Sequence, residues 1–171
     1  MKILNLPIEL PQDACCKARP DQSADLTAYL LDPMAETALR LRPAVVICPG
    51  GGYTRLSERE DQPVAMEYLA AGFQVFSLHY SVAPDVFPRA LMELALAVRL
   101  IRLNSAKWHV DPEKIVVSGF SAGGHLACCL GVFYNRDFLC GPLKTSPEQI
   151  RPDGLRLCYP VIPSGPFCHP G

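Results

Sequence analysis

Short apolar runs recur along this chain, and they restrict it to one kind of sheet. Ala44-Val45-Val46-Ile47-Cys48 stands between Pro43 and Pro49, and Gln74-Val75-Phe76-Ser77-Leu78, Lys114-Ile115-Val116-Val117-Ser118 and Leu155-Arg156-Leu157-Cys158-Tyr159 follow it. Each is too short for a helix, and Ala44–Cys48 and Lys114–Ser118 are too continuously apolar for a strand with one wet face. Such runs suit strands buried on both sides of a parallel sheet. Helical patterns separate them. Gln62–Ala71 stops at Gly72, a natural C-terminal residue. From Pro88 to about Asn104, Leu91, Leu94, Ala95, Val98 and Ile101 recur at three- and four-residue spacing. A third pattern runs from about Ser121 to Tyr134. Strand and helix therefore alternate, which implies an α/β fold, a mostly parallel sheet with helices on both faces. Two weaker strand candidates, Lys2–Leu6 and Leu26–Leu31, can add an antiparallel edge. Asp111-Pro112 reads as a turn into the third run.

Composition narrows the partners. The chain has 171 residues, 49% of them hydrophobic, and a net charge of −1. This is one domain's worth of chain with material for a real core. The charges are interspersed, so no electrostatic footprint for nucleic acid or an anionic membrane exists. No stretch reaches the ~18 apolar residues of a membrane helix. The N-terminal apolar run is broken by Asn5 and Pro7, unlike a signal peptide. A cytoplasmic protein is expected, with its eight cysteines reduced. The adjacent pairs Cys15-Cys16 and Cys128-Cys129 suit ordinary disulfides poorly. His125 and Cys129, four apart on a helix, are the sharpest metal candidates, but a buried thiol packing as a small hydrophobe is the simpler reading. No metal and no cofactor are expected.

Gly119-Phe120-Ser121-Ala122-Gly123 carries the chemistry. Gly-x-Ser-x-Gly between a buried strand and a helix is the context of a nucleophile elbow. The serine occupies a strained turn, so its neighbours must be small. The turn lifts the hydroxyl above the sheet at a helix N-terminus, where the Ala122 N–H can meet a developing oxyanion. Pro49-Gly50-Gly51-Gly52-Tyr53 follows the first buried strand, and its glycines let backbone N–H groups approach a ligand. A phosphate loop would need Gly-Lys-Ser/Thr where Tyr53-Thr54-Arg55 stands, and a dinucleotide fingerprint would need a third spaced glycine.

Cys48-Pro49-Gly50-Gly51-Gly52-Tyr53, His79-Tyr80-Ser81-Val82-Ala83-Pro84 and Gly119-Phe120-Ser121-Ala122-Gly123-Gly124-His125-Leu126-Ala127 occur in this order. Together they resemble the α/β-hydrolase esterases related to hormone-sensitive lipase, closest to the bacterial acetyl-xylan or feruloyl esterase-like branch. The resemblance runs from about residue 20 to the C-terminus. It implies hydrolysis of short acyl esters, those on sugars included, without a cofactor. By position Ser121 is the nucleophile, and Gly51, Gly52 and Ala122 form the oxyanion hole. Many relatives carry a histidine where this chain has Pro49, so a polar anchor of the loop is missing.

The triad order in this fold is Ser, then Asp or Glu, then His. After Ser121 the candidates are Asp137, Glu148, Asp153, His125 and His169. His125 lies one turn into the elbow helix and should point into the fold. Asp153 and His169 have the right order but flank the last strand. The resemblance places both partners beyond two further strands, so a C-terminally truncated hydrolase, missing its last strands, is expected; a genuine short protein stays open. Three functions remain: a small-molecule ester hydrolase, a non-catalytic hydrolase-fold binder, and a peptidase or amidase with the same nucleophile. Oligomeric state is open, with self-association expected of a truncated sheet.

Overall fold

The computed structural model describes residues 1–11, 14, 24–33 and 41–162. Six strands form one sheet: β1 (Lys2–Ile8), β2 (Ala24–Leu30), β3 (Arg42–Cys48), β4 (Gln74–His79), β5 (Val110–Phe120) and β6 (Gly154–Cys158). Their spatial order is β1-β2-β4-β3-β5-β6. β1 pairs with β2, and β2 with β4, antiparallel; the remaining pairs are parallel. The two weak N-terminal candidates thus do form the antiparallel edge, and the four strong runs form the parallel part. This is the mostly parallel sheet of the α/β-hydrolase fold.

Helices cover both faces. Val45, Ile47 and Val75 pack with Ala65 and Leu69 of α1 (Gln62–Ala70). Val46, Cys48, Phe76 and Leu78 point the other way. They meet Leu91, Leu94, Val98 and Ile101 of α2 (Arg89–Leu103) and Leu126 and Leu130 of α4 (Ala122–Phe133). The runs are apolar at successive residues because both faces are dry. Each such Leu or Ile contributes roughly 1.5–3 kcal/mol on burial.

Differences from expectation are local. Pro88 caps α2 rather than starting it. β5 begins at Val110 and carries Asp111-Pro112 inside it, with a register shift against β3. Asp111 accepts the Glu113 N–H at 3.1 Å, so the expected turn survives as an irregularity within the strand. Three short helices, α3 (Ser105–Trp108), α5 (Asp137–Leu143) and α6 (Pro147–Ile150), had no periodic signal. No described helix is long and apolar enough to cross a membrane. Cys48, Cys128, Cys129, Cys140 and Cys158 are free thiols, while Cys15-Cys16 lie outside the described residues.

A charged cluster ties β2, β4 and the start of α1. His79 opposes Asp25 across the antiparallel pair and lies 2.9 Å from its carboxylate. Its other ring nitrogen is 2.7 Å from Asp61, which also accepts the Ser77 hydroxyl. The bond to Asp61, opposed by burial and aided by Asp25, raises His79 to about 9. Hydrogen bonds from His79 and Ser77 hold Asp61 below its ordinary value against the opposing effect of burial.

The His79 contribution to stability is fully present below the ordinary histidine pKa of about 6.5 and is lost as pH rises through about 9. Melting temperature is expected to fall between pH 7 and pH 10, and His79→Gln is expected to flatten that part of the profile. An equal slope in the variant would remove the cluster as its cause.

β6 has β5 as its partner on one side, and among the described residues nothing pairs with its other edge. Leu155, Leu157, Tyr159 and Ile162 are exposed there. An apolar open edge is a template for another strand. A chain of these 171 residues is expected to self-associate in light scattering under reducing conditions, and Leu157→Lys to shift it toward monomer. A stable wild-type monomer at high concentration would contradict this.

Candidate active site

β5 ends at Phe120, and α4 begins at Ala122; Ser121 alone makes the turn between them. Its φ of 51° and ψ of −115° are sparsely populated for a residue with a side chain. The flanking glycines follow from sterics. A Cβ on Gly119 would stand 2.1 Å from the Gly123 carbonyl oxygen, and one on Gly123 would stand 2.0 Å from that of Cys48. The turn is further held by Ser121 N–H donating to Cys158 O at 3.0 Å and by His125 N–H donating to Ser121 O at 3.0 Å.

The glycine loop lies against this turn. A Cβ on Gly50 would meet Phe120 O at 2.7 Å and Ser121 Cβ at 3.0 Å. Three successive trans peptide planes of the loop are pinned. Between Pro49 and Gly50, the Tyr80 hydroxyl donates to the carbonyl at 2.6 Å and Glu60 Oε2 accepts the N–H at 2.8 Å. Between Gly50 and Gly51, the carbonyl accepts Ser57 N–H at 2.9 Å. Between Gly51 and Gly52, it accepts Thr54 N–H at 3.2 Å, Arg55 N–H at 3.3 Å and Thr54 Oγ1 at 3.0 Å. In a trans peptide the N–H points opposite to the C=O. Anchoring the carbonyls therefore aims the Gly51 and Gly52 N–H groups. Among the described residues neither these nor the Ala122 N–H has an acceptor.

Pro49 does not leave the loop unanchored: Tyr80 and Glu60 supply the anchors. Tyr80 stood in a quoted motif without a role, and Glu60 was not singled out, since a carboxylate in the short helical turn Glu58–Glu60 carries no local signature.

His125 is half-buried, with its ring turned to Tyr53 and Cys129. Its Nδ1 lies 2.9 Å from the Tyr53 hydroxyl, and Cys129 Sγ is 3.6 Å from Nε2. Burial raises the Cys129 thiol to about 11. Among the described residues no three His, Cys, Asp or Glu side chains converge on a point suited to a metal. Tyr53, His125, Leu126, Leu91, Val86 and Phe87 line a mainly apolar pocket of about 260 Å³ that borders both the glycine loop and α4. Below it Glu93, raised by burial, accepts Ser81 N–H at 2.7 Å and Ser81 Oγ at 2.6 Å, which fixes the loop after β4.

Asp153 is at the wrong end of the sheet. It accepts Arg102 Nη2 at 2.8 Å and Ile115 N–H at 3.0 Å. Ile115 is six residues before Ser121 on β5, roughly 20 Å by strand rise. His169 lies outside the described residues.

The two candidate donors differ in what they tolerate. A Cβ on Gly51, at φ 134°, would fall 2.1 Å from the Arg55 carbonyl oxygen, whereas one on Gly52, at φ 65°, meets nothing within 4 Å. Gly52→Ala is expected to cost only about 1–2 kcal/mol, the left-handed penalty. Gly51→Ala must move the loop and is expected to destabilise more. Urea denaturation of both variants checks the order, and equal costs would count against this loop geometry.

Known proteins share this architecture. A family profile described as BD-FAE matches residues 31–151. Endo-1,4-beta-xylanase B of Butyrivibrio fibrisolvens is 34% identical over 75% of this chain and 21% of its own length. Acetylxylan esterase of Xylanibacter ruminicola is 29% identical over 70% and 22%. The crystal structure of an acetyl ester-xyloside bifunctional hydrolase from Caldicellulosiruptor lactoaceticus superposes with a TM-score of 0.77 at 34% identity, over 93% of this chain and 57% of that one. A lipase/esterase from Lactobacillus plantarum gives 0.78 at 30% identity, over 95% and 61%. The chain thus spans about a fifth of those two curated relatives and under two thirds of those two solved chains. With its sheet order, elbow and glycine loop, the chain belongs to the BD-FAE family of α/β-hydrolase-fold esterases.

Proposed function

We propose that this chain carries the nucleophilic half of a serine carboxylic-ester hydrolase acting on short acyl esters, including acetylated sugars. The observation that carries the reading is the strained Ser121 at the strand–helix turn, packed against a loop whose free N–H groups are aimed by anchored carbonyls. Ser121 Oγ attacks the ester carbonyl carbon. The oxygen that becomes negative is met by N–H groups of Gly51, Gly52 and Ala122, placed before the reaction so that little reorganisation is needed. The alcohol leaves, and water releases the acyl group from Ser121. The pocket between Tyr53 and Phe87 takes the apolar part of the ester.

The proton of Ser121 needs a base. His79 is engaged by two aspartates, His125 by Tyr53, and His109 stands at the start of β5, at the far end from Ser121. The acid and histidine are proposed, on the resemblance, to come from sequence after residue 171 in a longer parent. For the 171 residues by themselves, the engaged histidines favour a second reading, an ester binder with little turnover.

The test is p-nitrophenyl acetate hydrolysis by the 171-residue chain and by Ser121→Ala. Loss of the base costs about six orders of magnitude in a serine hydrolase, leaving a remainder due to the oxyanion hole and binding. A slow rate that falls further in Ser121→Ala is expected. Fast turnover abolished by Ser121→Ala would show that a base lies within these residues, and a rate indifferent to Ser121 would end the nucleophile assignment.

A further inference from the structure

Glu60 is a buried carboxylate with both oxygens used, and they reach different parts of the site. Oε2 accepts the Gly50 N–H at 2.8 Å, and Oε1 accepts the Tyr159 hydroxyl at 2.9 Å. Tyr159 follows β6 directly, and the carbonyl before it, Cys158 O, receives the Ser121 N–H at 3.0 Å. The same segment returns at Val161, whose N–H approaches Ser121 O at 3.4 Å. The Tyr159 ring packs on Phe120 at 6.0 Å between centroids. One carboxylate thus joins the glycine loop to the segment that holds the elbow serine. The point where a Gly50 Cβ would lie is 2.8 Å from Glu60 Oε2 and 3.0 Å from Ser121 Cβ, so the clip acts next to the nucleophile.

We propose that Glu60 is a positioning residue for ester hydrolysis: by accepting the Gly50 N–H and the Tyr159 O–H it fixes the spacing between the glycine loop and Ser121. This rests on the ester-hydrolase reading above. Glu60 does not touch the ester. It acts through the peptide plane of Pro49 and Gly50, whose other end is held by the Tyr80 hydroxyl. With that plane fixed at both ends, the next two planes carry the Gly51 and Gly52 N–H groups to one place. Both partners donate here, and the carboxylate meets them with two acceptor oxygens. A glutamate supplies two such oxygens at the spacing of one carboxylate.

Labelling of Ser121 by a fluorophosphonate reads this without a complete triad. The Ser121 oxygen bonds to phosphorus, fluoride leaves, the hydroxyl proton passes to buffer, and the phosphoryl oxygen sits where the oxyanion would. In the 171-residue chain, Glu60→Ala is expected to lower kinact by about 10²-fold, the size of losing one oxyanion donor, with KI unchanged. Glu60→Gln is expected to keep most of kinact, since its amide oxygen accepts the Gly50 N–H and its amide nitrogen donates to Tyr159 Oη. Leu69→Ala, a core change that lowers the melting temperature, is expected to leave kinact unaltered below that temperature. A folded Glu60→Ala with wild-type kinact overturns the proposal, and so does a loss in Glu60→Gln as deep as in Glu60→Ala, which would assign the effect to charge. Absent labelling of wild-type Ser121 would follow from the missing base as well as from a wrong nucleophile, and would bear on the reading above and not on Glu60. Hydrogen exchange of the segment 49–56 then decides Glu60 alone: faster exchange in Glu60→Ala supports the clip, and unchanged exchange overturns it.

Discussion

Backbone touches backbone where β3 and β5 leave the sheet, and the rest of the site follows from that contact. Gly123 admits the Cys48 carbonyl into space that any side chain would fill, and Gly119 does the same for the Gly123 carbonyl. The first turn of α4 can then sit on the end of β3. This brings the glycine loop, which continues β3, against the serine that precedes α4. Core packing reinforces the arrangement, because Leu126 and Leu130 of α4 lie over the same strands whose ends carry the loop. A single added methyl group at either glycine would force this backbone contact to shift.

Orientation of the candidate donors is a matter of peptide geometry rather than of side chains. An exposed glycine loop is entropically free, and its N–H groups would point anywhere. Here every carbonyl from Pro49 to Gly51 has a donor, and each peptide plane converts that bond into a direction for the N–H on its other side. Ordering occurs on folding, before any ligand arrives. The elbow works in the same way: the Ser121 carbonyl is occupied by His125 N–H, so the Ala122 N–H faces outward at the start of α4.

The parts legible in sequence were those with a local signature. Ala44–Cys48 and Lys114–Ser118 declare themselves by unbroken β-branched residues, and the elbow by glycines at a fixed offset from a serine. Helix α2 shows its period because Leu91, Leu94, Ala95, Val98 and Ile101 share the face buried in the main core. The anchors of the loop were not legible. Tyr80 and Glu60 reach Pro49 and Gly50 across 31 and 10 residues, and nothing near either residue marks the partner. His125 was expected to point into the fold and not at the serine hydroxyl; it is half-buried beside α4, and its partner Tyr53 could not be named from sequence. Asp153 had the right residue type and order, but order along the chain says nothing about which end of a strand a residue occupies.

Neighbouring carboxylates show how closely fold and site are joined here. Glu60 ends the short helical turn, and Asp61 is the N-cap residue of α1. They point to different partners. Asp61 takes His79 and Ser77 and so fixes α1 to β4, while Glu60 takes Gly50 and Tyr159 at the site. The turn cannot shift to suit one without disturbing the other. Asp61 belongs to an ion pair that depends on a histidine proton, whereas the Glu60 partners, an amide and a phenol, keep their hydrogens across ordinary pH. Titrating the cluster therefore loosens the base of α1 first. The glycine loop, held by donors that do not titrate in that range, keeps its geometry until the turn itself moves.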